Sequence, residues 1–184
     1  MNVTLTWDLF VIVFFTIIIA YSFIVGRNQT LKIIIGAYIA SLTADALTNL
    51  VDQYLGGPQP ILKFLDGPDS DEFLIMFKIV IFILVTVVLA VRGGFEVGIL
   101  GHHRLPIRLL MTFLFGFLNA GLIVSTLLLY ISGLSLINAE QIGTVASLGT
   151  DSPMVALMIQ NHSLWFSLPA IAFVVLSFVE GQDA

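Results

Sequence analysis

The sequence predicts an all-α fold, a single polytopic membrane domain over residues 1–184 with four or five transmembrane helices and its N-terminus outside. Three observations predict it. Of the 184 residues, 58% are hydrophobic and only 10% charged, with a mean hydropathy of +1.05. A soluble domain carries about 25% charged residues to cover its surface. The apolar residues also gather into runs of the length that crosses a hydrocarbon core about 30 Å thick. Finally, five of the seven basic residues flank the first and third loops, while Lys63 lies among acids in the second loop and Lys78 inside a span.

The first run, 9–25, has only Thr16, Tyr21 and Ser22 as polar members. No basic segment precedes it and no A-x-A-like cleavage site follows, so it reads as a retained helix and not a removed signal peptide. Gly26-Arg27-Asn28-Gln29 makes a tight polar turn. The second run, 31–51, places Gly36, Ala40 and Ala44 at four-spacing, a small-residue stripe that lets two helix backbones approach closely. Asp45 and Asn49 follow, four apart, and the short turn predicts an antiparallel hairpin with the first run. Residues 52–72 form a loop, broken by Gly56-Gly57-Pro58, Pro60 and Gly67-Pro68.

The third run, 73–91, is interrupted only by Lys78 and Thr86 and ends at Arg92-Gly93-Gly94. The fourth, 107–131, begins just after Pro106, a residue suited to the first turn of a helix. It carries a second small-residue stripe, Thr112, Gly116 and Ala120, and a buried amide, Asn119. Residues 132–162 are mixed, with 139–148 and 153–160 read as short helices at the interface or among the spans. The run 164–179, with Trp165 and Pro169, is about 16 residues long and marginal for crossing, which leaves the count at four or five.

Arg27 and Lys32 flank the first turn, Arg92, Arg104 and Arg108 flank the third loop, and no Lys or Arg follows Arg108. Cytoplasmic loops are enriched in basic residues, so the first and third loops face the cytoplasm. Trp7, Tyr54, Tyr130 and Trp165 then all fall at outer ends of spans, where amphipathic rings anchor at the interface.

Asp45 lies about six residues inside the outer end of the second run and Lys78 about five inside that of the third, some 8–9 Å down in each case. Opposite charges at one depth on consecutive helices predict an ion pair, because an unpaired charge in lipid costs roughly 3 kcal/mol. The alternative is that Lys78 snorkels to the interface while Asp45 faces a wet cleft. Asn119 reads as an amide bonding across spans. The net charge of −5 excludes a nucleic-acid footprint, and the absence of Cys excludes disulfides and thiolate chemistry. His102-His103 lacks a third ligand at metal spacing, and no catalytic, phosphate-binding or cofactor motif appears. The expectation is no enzyme, no metal and no cofactor.

The order of parts resembles the colicin V production protein (CvpA) family of bacterial inner-membrane proteins over about residues 7–131. The matching features are Asp8 near the start of the first span, the Gly26-Arg27 turn and Gly36-Ala37-Tyr38-Ile39-Ala40 in the second span. A further match is Phe115-Gly116-Phe117-Leu118-Asn119-Ala120-Gly121-Leu122-Ile123-Val124 in the fourth. The family has Arg-Gly where this chain has Arg27-Asn28 and again where it has Asn119-Ala120. The resemblance implies a multi-pass protein of the bacterial inner membrane with a role in envelope homeostasis or export-linked processes. Its partners would be the lipid bilayer and either other membrane proteins or further copies of itself. On that view the faces Gly36/Ala40/Ala44 and Thr112/Gly116/Ala120 are the interfaces, or pack against each other within the chain. A transporter or channel component with a polar path through Asp45, Asn49, Lys78 and Asn119 is the second expectation. An accessory subunit of a larger membrane complex is the third.

Overall fold

The structure, a computed structural model, describes residues 6–54, 70–93, 105–134 and 152–180. Six helices account for nearly all of them: α1 (Trp7–Val25), α2 (Arg27–Tyr54), α3 (Ser70–Arg92), α4 (Leu105–Ile131), α5 (Pro153–Gln160) and α6 (His162–Glu180). The first four are each long and apolar enough to cross a membrane. Among the described residues there is no strand. The segments 52–72 and 139–148, apart from the helix ends noted above, and the pair His102-His103 lie outside the described residues.

The solvent preference is inverted relative to a soluble protein. Ile17, Ile24, Val80, Val91, Leu110 and Phe178 point outward, whereas Thr30, Ser41, Asp45, Lys78, Asn119 and Thr126 are buried. In lipid, polar groups must find partners inside the protein, and that requirement produces this pattern.

α4 is the axis of the bundle. Of its crossing window 72% is buried, against 11% for α1 and for α3. α1 and α6 lie along one part of its circumference, α2 along another, and α3 packs mainly on α2. α1 and α2 touch, but each packs more extensively on another helix, α1 on α4 and α2 on α3. Gly26 alone separates α1 from α2. Its φ of +81°, a conformation glycine adopts at little cost, ends α1, with its N–H donating to the Ser22 carbonyl at 3.0 Å. Its own carbonyl then accepts from Thr30 N–H at 3.1 Å, so the chain reverses within one residue.

The expected run 164–179 lies within α6, and the expected short helix 153–160 is α5. α5 and α6 bend by 60° where they meet at Asn161. Val155, Met158 and Ile159 of α5 cluster with Val124, Leu128 and Leu129 of α4. Further down, Trp165 sits against Gly121, and Phe173 against Phe115 with ring centroids 6.0 Å apart. The bent pair thus runs antiparallel along α4 and makes, if the two pieces count as one, a broken fifth span.

Two contacts hold that broken span. At its start the Asp8 carboxylate accepts from the Ser152 hydroxyl and from Met154 N–H at 3.2 Å, tying α5 to α1. Beyond the bend, the Tyr38 hydroxyl donates to the Phe166 carbonyl and accepts from Ala170 N–H at 3.2 Å. Pro169 lies inside α6 and has no N–H to give, so this stretch of helix is where a hydroxyl from a neighbour can enter the ladder.

Candidate functional site

On α2, Thr30, Ile34, Ala37, Ser41, Asp45 and Thr48 fall at helical spacing on one face, and all six are buried. On α4, Thr112, Asn119 and Thr126 recur every seven residues, and Tyr130 follows one turn on. These faces meet, since the Tyr130 hydroxyl donates to the Ser41 carbonyl at 3.1 Å. The result is a polar seam along the α2–α4 contact.

α3 adds the charge that completes it. Lys78 Nζ lies 3.1 Å from Asp45 Oδ1, with the two side chains 10% and 0% exposed. The same ammonium stands 5.1 Å from the centroid of the Tyr130 ring, within cation–π range. Phe82 meets that ring edge-on at 5.9 Å and closes the cluster. Burial of Lys78 at this level excludes the snorkelling alternative: its charge is met inside the bundle.

The other expected site residues are distributed differently. Asn49 is exposed on the outer surface of α2, so it does not extend a path from Asp45, and Thr48 occupies the seam instead. Asn119 is 1% exposed, but neither its amide nitrogen nor its oxygen has a hydrogen-bond partner among the described residues. It is therefore not the cross-helix bond expected of it. The two small-residue stripes do not pack on each other. A Cβ at Gly36 would stand 3.3 Å from Leu89 Cβ of α3, while one at Gly116 would stand 3.0 Å from Ser22 Cβ of α1. Ala40, Ala44, Thr112 and Ala120 are likewise buried. Both faces are consumed within the chain.

Two of the aromatic anchors are corrected as well. Tyr130 is a buried member of the seam, and Trp165 packs against Phe15 and Phe117 at centroid distances of 6.0 and 5.6 Å. Each ring has a protein partner that outweighs the interface. Trp7 at the start of α1 remains 39% exposed, and the Tyr54 side chain lies outside the described residues.

Sequence reasoning also missed Tyr38, Gly121 and His162. His162 is buried at the bend, its Nδ1 3.2 Å from the Ile159 carbonyl and its Nε2 3.4 Å from the Ser163 hydroxyl. These are local contacts within the break. Alongside it, between α1 and the broken span, an apolar groove of about 480 Å³ is lined by Val11, Phe15, Ile19, Phe117, Leu157 and Trp165 among others. No group of three His, Asp or Glu side chains arranged for a metal occurs among the described residues.

Fold and site together define an α-helical polytopic membrane protein that holds a neutralised charge pair inside its bundle. No family model, curated protein or solved structure matches the chain.

Proposed function

We propose that the protein is a transport or channel component of a bacterial inner membrane, with Asp45, Lys78, Tyr130, Ser41, Thr126 and Asn119 forming its polar path. The carrying observation is the buried Asp45–Lys78 pair at 3.1 Å, set in a line of polar side chains shared by α2 and α4. Ionisable residues in a membrane interior are costly, and such positions commonly serve substrate, ion or proton movement. The basic residues beside the Gly26 turn and at the end of α3 favour a cytoplasmic position for that end of the bundle, with the N-terminus outside.

The test uses the absence of native Cys. Cys placed at Ser41, Thr48 and Thr126 should react with a water-soluble thiol reagent in membrane vesicles, leaving the charge pair intact. If all three prove as inert as Leu128→Cys in the apolar cluster around α5, there is no path.

A second reading is that of the colicin V production type, in which the protein acts on envelope or export-linked processes through other membrane proteins or as an oligomer. The lipid-open groove between α1 and the broken span favours it, because both small-residue faces are already used internally. Purification from native membranes in mild detergent should then bring a defined partner or oligomer. Recovery of a lone monomer counts against it.

A further inference from the structure

Asp8 takes no part in the polar seam, and it stands at one end of the apolar groove between α1 and the broken span. Its contacts fix it there. Oδ1 accepts from the Ser152 hydroxyl and from Met154 N–H at 3.2 Å, and Met154 itself lines the groove together with Pro153. Val11, Ile12 and Phe15, one to two turns further along α1, line it as well. Asp8 is partly buried, and among the described residues its Oδ2 has no hydrogen-bond partner. No cation meets it among them either, since Lys78 is held by Asp45. The groove is a negative charge followed by an apolar trough.

We infer that this groove binds a single-chain amphiphile with an ammonium head, taken up from the surrounding bilayer, its alkyl chain lying along α1 and its head group on Asp8. The trough asks for a chain without polar groups. Thr16 carries the one hydroxyl in its lining and spends the proton on the Ile12 carbonyl at 2.8 Å. Phe15, Phe117 and Trp165 form a wall already in place, each ring within 6.0 Å of the other two by centroid. From Val11 to Ile19 the groove follows α1 for about 12 Å. Ile12, Met154 and Leu157 are exposed, so a chain can enter sideways from lipid. Asp8 then selects the head: an ammonium offers donors for charge-assisted bonds, whereas an anionic head would meet a like charge. The site is independent of the seam, which lies on the α2 face of α4, and it gives the groove a ligand in place of a partner protein.

The chain has two tryptophans, so Trp7→Phe leaves Trp165 as the sole indole and a reporter in the groove wall. In neutral mixed micelles, bromododecylammonium should quench that fluorescence saturably, at a concentration about tenfold lower than bromododecyl sulfate requires. Asp8→Asn keeps an oxygen for the Ser152 hydroxyl and Met154 N–H but removes the charge, and should erase the preference while α5 stays in place. Thr16→Phe, which brings a ring to the groove from an exposed position on α1, should abolish the saturable phase for both amphiphiles. Helical content by circular dichroism would be matched across variants. Equal potency of the two head groups, a preference that survives Asp8→Asn, or quenching indifferent to Thr16→Phe overturns the site. So does the absence of a saturable phase, the result expected if a partner's helix already fills the groove.

Discussion

On the face of α4 turned to α2, Tyr130 carries a hydroxyl to Ser41 and offers its ring to Lys78, which in turn neutralises Asp45. On the face turned to α1 and α6, Gly121 and Phe117 receive the indole of Trp165, with Phe15 behind it, and no charge takes part. Both contacts join helices far apart in sequence in a solvent that supplies little hydrophobic drive between spans. One side does so by making every buried charge dependent on a partner. The other removes a side chain so that a large ring fits. The first should fail when a partner is lost, the second when volume is added.

The largest effect is expected on the charged side. Lys78→Met leaves Asp45 buried without its counter-charge, and breaking such a pair costs about 3–5 kcal/mol. Asp45→Asn with Lys78→Met removes both charges and should recover most of that loss. Reversible unfolding in mixed micelles, compared among the wild type, the two single variants and the double variant, gives the coupling. If Lys78→Met alone is no worse than the double variant, the pair contributes no mutual stabilisation and the contrast between the two sides collapses.

On the aromatic side, Gly121→Ala should cost about 1–3 kcal/mol, the usual range for overpacking a core. A Cβ there would overlap the Trp165 ring, which cannot move without displacing Phe15 and Phe117. Gly121→Ala combined with Trp165→Leu should be less harmful than the sum of the two single changes. Additive losses in the same micelle assay would mean that the glycine and the indole are not complementary.

The charged side was far more legible in the sequence than the aromatic side. Asp45 and Lys78 could be paired by counting residues from the ends of two spans, because depth is a one-dimensional quantity that an apolar run records. Rotation about the helix axis is recorded less well. Asn49 follows Asp45 by four residues, yet the small angular drift over one turn carries it from the buried face to the surface. Stripes such as Gly36/Ala40/Ala44 announce close approach without naming the partner, and so α3, not α4, faces Gly36. Tyr130 and Trp165 show the limit most plainly: a ring with a polar tip suits the lipid interface and a buried pocket equally, and only the neighbours decide. The break at Asn161 was legible, since 153–160 and 164–179 read as separate helices; that the two together make one bent crossing was not, since both arrangements carry the same composition.

The smallest effect separates a polar contact from the charge pair on the same helix. Tyr38→Phe keeps the edge-on ring contact with Phe166, whose centroids lie 4.8 Å apart, and removes only the hydroxyl between the Phe166 carbonyl and Ala170 N–H. Those backbone groups are one rung past the position that Pro169 leaves without a donor, so they can rejoin each other once the hydroxyl is gone. The loss should therefore be about 0.5–1.5 kcal/mol, the net worth of a single neutral hydrogen bond. Amide exchange should rise locally at Ala170 and its neighbours in α6, while the Asp45–Lys78 coupling energy stays unchanged. A change in that coupling would show that the hydroxyl sets the position of α2 against α3 as well as that of α6, and the two sides of α4 would then be one mechanical unit.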